Sequence, residues 1–225
     1  MNTEEFVEWD VCNWGKALDY WEQNTSLCIN QTKALEIGGR DGGLSLWLAQ
    51  KNADVICSDR KGPTAKAKEL HTRYGYDTKI QHMTLSALDI PFEEHFDIIF
   101  FKSVLGAIGL HDNRENQAKS VIEMHKALKP GGELWFAENL EGSPIHRFTR
   151  EKFIPWASEW NYVNVKEMLN LLAVFSEVHY TTVGFLGAFG FNEFLRTLLG
   201  NIDTYSSDVL APESWRYIII GIAKK

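Results

Sequence analysis

The chain has 225 residues, 44% of them hydrophobic and 24% charged, with a formal net charge of −7. That composition excludes a disordered chain, and the negative balance without a dense Lys/Arg stripe argues against a nucleic-acid partner. No apolar run approaches the roughly 18 residues a transmembrane segment needs, the start Met1-Asn2-Thr3-Glu4-Glu5 is acidic rather than basic-then-apolar, and Cys12, Cys28 and Cys57 form no C-x-x-C pair; the expectation is a cytoplasmic protein with no disulfide framework and no metal cluster.

In chain order, Trp14, Ala17, Leu18 and Trp21 recur at helical spacing and predict an amphipathic helix whose tryptophans pack into the core. Lys33 to Ile37 is a short apolar strand that runs at once into glycines. Leu44, Trp47 and Leu48 mark a helix, and Ala53 to Ser58 a strand ending at Asp59. Ala67, Leu70, His71 and Tyr74 form a helix face closed by Gly75. Strands follow near Thr78–Met83 and over Phe96–Phe101, the second so uniformly apolar that it must be covered on both faces. Ala118, Val121, Ile122 and His125 predict a helix stopped by Lys129-Pro130-Gly131-Gly132, ahead of a strand over Glu133–Glu138. Asn164 with Glu167 has the form of a capping box before Met168, Leu171, Leu172 and Phe175. Strands near Val178–Val183 and Trp215–Ala223 flank an irregular insertion, 184–212.

Alternation of strand and helix from residue 33 to about 138 predicts a parallel sheet with helices on both faces. One domain of 225 residues is expected: a helical extension (1–32), a cofactor-binding core (33–138) and a substrate-side half (139–225).

The strongest chemical signal is Glu36-Ile37-Gly38-Gly39-Arg40-Asp41-Gly42-Gly43, where a strand passes through glycines into a helix, so that backbone and helix N–H groups can approach a ligand. About 20 residues on, Asp59 ends the second strand, a place suited to ribose hydroxyls. A dinucleotide fingerprint needs a glycine where Arg40 stands. Glu36 beside the loop repels a diphosphate but attracts an ammonium or sulfonium, and that charge logic favours S-adenosylmethionine over NAD.

Leu35-Glu36-Ile37-Gly38-x-x-x-Gly42, Asp59, Ile90-Pro91-Phe92 before Phe96-Asp97-Ile98-Ile99, and Leu128-Lys129-Pro130-Gly131-Gly132 together resemble a class I S-adenosylmethionine-dependent methyltransferase. The resemblance covers about residues 33 to 138. It implies a Rossmann-like sheet of seven strands, mostly parallel, with helices on both faces and the last strand, Trp215–Ala223, antiparallel. It also implies that Glu36, Gly38, Gly39 and Gly42 surround the methionine end of S-adenosyl-L-methionine, that Asp59 holds its ribose, and that Ser86 and Ala87 lie by its adenine. Arg40 is expected to pair with the cofactor carboxylate. An NAD-dependent oxidoreductase and a non-catalytic methyltransferase-like binding protein are the competing readings.

Ligands in open α/β sheets lie beyond the carboxyl ends of the strands, which selects Lys102 and Ser103, His111 and Asp112, Glu138 and Asn139, and His146 and Arg147. Lys102 is placed with the cofactor. Family members often carry a His soon after the fourth strand; here Gly106 and Ala107 stand there, so His146 and then His111 are the candidate general bases. The basic, aromatic stretch His146, Arg147, Arg150, Lys152, Phe153, Trp156, Trp160 and Tyr162 suits a small-molecule or glycan-like acceptor, methylated at oxygen. Phe189, Phe191, Phe194, Leu195, Leu198 and Leu199 are expected to close the substrate pocket, with a membrane surface or a second copy in a homodimer as the alternative coverings.

Overall fold

The computed structural model describes residues 3–154 and 160–225. Its centre is one seven-stranded sheet in the order β3-β2-β1-β4-β5-β7-β6, with β1 Lys33–Ile37, β2 Asp54–Asp59, β3 Ile80–Thr84, β4 Phe96–Lys102, β5 Leu128–Asn139, β6 Glu177–Val183 and β7 Ile218–Lys224. β1 to β5 pair in parallel, while β7 runs antiparallel to both β5 and β6. The order reverses between β1 and β4, which places a ligand crevice at their carboxyl ends.

β4 shows why its sequence is apolar throughout. Ile98 and Phe100 join the core on one face of the sheet, and Ile99 and Phe101 join the core on the other. The first face is covered by α1 (Glu4–Val7), α2 (Val11–Trp14), α3 (Lys16–Asn24) and α4 (Gly43–Ala49). Trp14, Ala17, Leu18 and Trp21 are all buried there, and Trp21 stacks on Trp135 at 6.0 Å. Buried Glu133 fastens the end of α3 to β5 by accepting from Thr25 Oγ1 (2.7 Å), Ser26 N–H (2.9 Å) and Trp135 Nε1–H (2.8 Å). After α4 comes α5 (Ala65–Arg73), capped by the Thr64 side chain.

The opposite face carries α6 (Leu105–Ile108), α7 (Arg114–Ala127), and, after α8 (Pro144–Phe153), α9 (Val165–Leu171). α7 sits a little differently from the apolar spacing. Gln117, Ser120, Val121, Met124 and Ala127 point inward, and Ile122 is 56% exposed. The rotation is set by Gln117, whose amide donates to the carbonyls of Leu105 (2.9 Å) and Asn161 (3.2 Å). Lys129–Gly132 is an excursion inside β5 rather than a stop before it: Leu128 pairs Phe96, and pairing resumes at Glu133 with Ile98. Both halves of the Asn164/Glu167 capping box form.

The 184–212 insertion is mostly helical, contrary to the irregular segment expected. Asn192 caps α10 (Glu193–Ile202), which runs through a π turn at Asp203–Ser207 into α11 (Asp208–Leu210). Among the described residues, no helix is long and apolar enough to cross a membrane.

Candidate active site

β1 leaves the sheet through Gly38 (φ +71°), Gly39, Arg40 (φ +32°) and Gly42 (φ +77°) before α4 begins. All three glycines are required by their neighbours, Gly42 by the His71 ring at 2.6 Å from an added Cβ. A Cβ on Gly38 would come within 2.7 Å of a Val104 methyl, and one on Gly39 within 2.8 Å of the Glu36 carboxylate and of Cys57 Sγ. The loop is held from outside: Gly39 N–H donates to the Ser58 carbonyl (2.7 Å), and Thr64 Oγ1 donates to Asp41 (2.7 Å).

The loop separates two lobes of one cleft. A cavity of about 350 Å³ is lined by Phe6, Glu8, Trp9, Glu36, Lys102 and the loop. Another of about 440 Å³ is lined by Asp59, Ser86, Ala87, Val104 and Ile108 among others. Gly38, Arg40, Ser103 and Trp160 line both. The cleft therefore lies at the ends of β1, β2 and β4, where the strand order predicts it.

The smaller lobe has a carboxylate and an ammonium in its walls. Glu36 is buried and accepts from the N–H (3.0 Å) and the hydroxyl of Ser45 in the first turn of α4. Burial pushes its carboxyl up to about 7, against those hydrogen bonds. Lys102 donates to the Val7 carbonyl (2.8 Å) and lies 4.9 Å and 5.0 Å from the ring centres of Trp9 and Trp14. Burial pushes its ammonium down to about 8. Such a pair complements a ligand carrying both an ammonium and a carboxylate, such as a free amino-acid group. In the larger lobe, one Asp59 oxygen accepts from Lys61 N–H (2.9 Å). Ser86 Oγ accepts from Leu88 N–H (3.2 Å), which shapes the turn.

Glu138 sits behind the cleft. It is fully buried and accepts from the N–H groups of Val104 (2.8 Å), Leu105 (2.6 Å) and Asn139 (2.9 Å). Burial raises its carboxyl to about 7 against these bonds. Its role is to hold the β4–α6 turn, where Ser103 is left-handed (φ +57°) and receives Asn139 Nδ2–H at 2.5 Å.

Glu36, Gly38, Gly39, Arg40, Asp59, Ser86, Ala87 and Lys102 are thus brought together around one cleft. Gly42 is not in its wall; it turns the chain into α4, with its carbonyl 2.8 Å from His71 Nε2. Neither histidine selected as a base lines the cleft. His146 is buried as the third residue of α8: its Nδ1 accepts from Ser143 N–H (3.0 Å), its Nε2–H donates to the Phe185 carbonyl (2.8 Å), and its ring stacks on Phe189 (4.8 Å). Both nitrogens are used and burial lowers its pKa, so it serves the packing of α8 on the insertion. His111 is exposed in the α6–α7 connection.

The insertion does not line the cleft either. What closes it is the N-terminal segment, which supplies Phe6, Glu8 and Trp9 and was invisible in the hydrophobic pattern. Trp9 is presented between two left-handed residues, Glu8 (φ +69°) and Asp10 (φ +46°). Trp160 is the aromatic of the 146–162 stretch that reaches both lobes, and an added Cβ on Gly106 would overlap its indole. Gly106 therefore makes room for a tryptophan at the position where a histidine was sought. Arg150 is spent on Tyr162 (4.1 Å to the ring) and on the Leu140 and Glu141 carbonyls (2.8 Å each), Phe153 is exposed, and Trp156 lies outside the described residues.

Residues 35–136, which contain the loop, the crevice and Glu36, match the family model described as a methyltransferase domain. No curated protein matches the chain in sequence. Among solved structures, the chain is similar to a Haemonchus contortus phosphoethanolamine N-methyltransferase 2 in complex with phosphomonomethylethanolamine and S-adenosylhomocysteine, at 15% identity and TM-score 0.65, over 94% of this chain and 52% of that one. It is similar also to Burkholderia thailandensis 1,6-didemethyltoxoflavin-N1-methyltransferase (13%, TM-score 0.61, 94% and 76%) and to the [4+2]-cyclase SpnF (14%, TM-score 0.64, 93% and 80%). At these identities the likeness is one of fold. The chain spans about half the length of the Haemonchus contortus enzymes it matches.

Proposed function

We propose that this protein holds S-adenosylmethionine across the two lobes and methylates a hydroxyl of a small, glycan-like acceptor. The observation that supports the cofactor is the pairing of Glu36 with Lys102 in one lobe and the placing of Asp59 in the other, with Gly38 between them. The residues fit the group: a carboxylate for the ammonium, a buried cation and Arg40 for the carboxylate, an acid for the ribose, and a glycine cradle that a Cβ would fill. A diphosphate in the same place would meet Glu36. When bound, S-adenosylmethionine supplies the methyl group on a sulfonium.

The chain's own contribution is to align and desolvate, which for a displacement at carbon provides much of the acceleration. Trp160, which lines both lobes, offers an apolar aromatic surface of the kind on which a sugar ring packs. Among the described residues, the Glu8 carboxylate lines the smaller lobe without a hydrogen-bond or ion-pair partner, so it is the group assigned to take the proton of an acceptor hydroxyl. Ser103, fixed by Asn139, is placed to orient that hydroxyl.

Calorimetry with S-adenosylhomocysteine, followed by methyl transfer to a panel of sugars and amines, tests the reading. Binding with transfer to sugar hydroxyls is expected, and Glu8→Gln should keep the binding and lose most turnover. NAD binding without S-adenosylhomocysteine binding would overturn it. A second reading, an amine acceptor, is favoured by the lack of a histidine in the cleft among the described residues. It predicts transfer to amines and a Glu8→Gln enzyme that stays active.

A further inference from the structure

The surface of the insertion carries more than the cleft requires. Phe191, Phe194, Leu198, Ile202, Tyr205 and Val209 lie at steps of three or four residues along α10, the π turn and α11, and all are exposed, Phe191 84%, Phe194 81% and Tyr205 87%. They form one helical stripe turned outward. The four charged residues between 191 and 210 all turn away from it. Glu193 accepts the Asp10 and Val11 N–H groups, Arg196 donates to the Gly190 carbonyl, Asp203 is buried on the N–H groups of Leu186 and Gly187, and Asp208 meets Lys16 at 2.6 Å.

We propose that this stripe is the contact between two copies of the chain, packed α10 against α10 about a twofold axis. A symmetric interface must be complementary to itself, and a face without exposed charge lets two chains of net charge −7 meet without opposing like charges. The exposed side chains offer on the order of 800 Å² per copy, the share each partner gives to a stable dimer. A membrane-lying helix would carry Lys or Arg along its polar flank. Here the flank is Asn192, Thr197, Asn201 and Thr204, and an anionic leaflet would repel the rest of the chain. The dimer has a consequence for the cleft, because the first turn of α10 holds the backbone on either side of Trp9's neighbour Asp10. Association stiffens the wall that Phe6, Glu8 and Trp9 build.

Sedimentation velocity on the full chain tests this without any ligand. The wild type should run at twice 25.7 kDa, with a melting temperature that rises with protein concentration. Phe194→Glu with Leu198→Glu should run at half the wild-type mass with a concentration-independent melt, and Ile122→Glu, on the far face of α7, should stay at the wild-type mass. Phe194→Ser serves as the milder variant if the double change fails to fold. A wild type that is single-copy at its highest soluble concentration, or a folded variant that keeps the doubled mass, overturns the proposal. So does a single-copy wild type that co-sediments with phosphatidylglycerol vesicles through this face, which would assign it to a membrane.

Discussion

The two walls of the cleft keep their shape by different means. The 33–138 wall is built by consecutive strand–loop–helix units, and its residues reach the ligand because the backbone next to them is in the sheet. The facing wall is assembled from parts about two hundred residues apart. Tyr217 OH donates to Asp10, Asn13 Nδ2–H reaches Tyr217 OH (2.9 Å) and Asp203 (3.3 Å), and Lys16 bridges to Asp208. The first wall rests on apolar burial and local geometry. The second hangs on a small buried polar network, which is satisfied as a whole or not at all. Burial holds the Asp10 carboxyl up at about 6 and the Tyr217 phenol well above its usual value, so the proton stays on the phenol and points at the acid.

The largest expected effect breaks the second wall alone. Asp203→Ala leaves the Leu186 and Gly187 N–H groups without their buried acceptor and takes from the Asn13 amide one of its three. A loss of about 3 kcal/mol in urea unfolding is expected, with Trp9 becoming accessible to quenchers while the core's melt stays cooperative. A loss below about 1 kcal/mol would mean that the wall is held by its apolar contacts instead. Next in size is Gly43→Ala, which sits where the two walls touch: its Cβ would overlap the carbonyls of Glu5 and Phe6. About 1–3 kcal/mol of overpacking is expected, and with it a loss of S-adenosylhomocysteine affinity measured by calorimetry, because the α1 segment must move off the cleft.

The contrast also explains what was legible in the sequence. Strands β1 and β4, the Gly38–Gly43 loop and Asp59 announce themselves because pattern and spacing determine them locally. So does the Asn164/Glu167 cap. Phe6, Glu8 and Trp9 carry no such signal: α1 is four residues long, and the left-handed residue Asp10 that follows Trp9 is held by Glu193 and Tyr217 from the other end of the chain. The sequence pointed to His146 by its place after β5, a rule that locates the backbone but not the side chain. Ser143 at the N-cap and a carbonyl at Phe185 decided its direction. Ile122 shows the same limit on a helix, where one buried glutamine outweighed an isoleucine.

A smaller effect separates the walls by pH. The Glu36 carboxyl is raised from an ordinary 4.5 to about 7 in the folded chain. Between those values the folded state binds the proton and the unfolded state does not, so stability falls as pH rises from about 4.5 to 7 and the loss is complete above that. Glu138 acts in the same direction over the same window. Glu36→Gln should flatten the decline by one group's share in urea titrations from pH 5 to 8. Under the proposed function it should also abolish the rise in S-adenosylmethionine affinity that accompanies ionisation of Glu36. An equally steep decline in Glu36→Gln would place the titration elsewhere.

The smallest expected effect on turnover belongs to His146→Ala, and it tests the division of labour most sharply. The imidazole joins α8 to the insertion through Ser143 and Phe185 and stacks on Phe189, all behind the second wall and outside both lobes. Its removal empties a buried ring site and frees one N–H and one carbonyl, for a loss of about 2 kcal/mol in unfolding free energy. Methyl transfer per folded molecule should stay within about twofold, since a twofold rate change corresponds to less than half a kcal/mol of barrier. A base would behave in the opposite way, with stability kept and turnover reduced by about a hundredfold or more. Measuring kcat against the folded fraction at several urea concentrations distinguishes the two, because a packing residue moves only the fraction and a base moves the rate at every fraction.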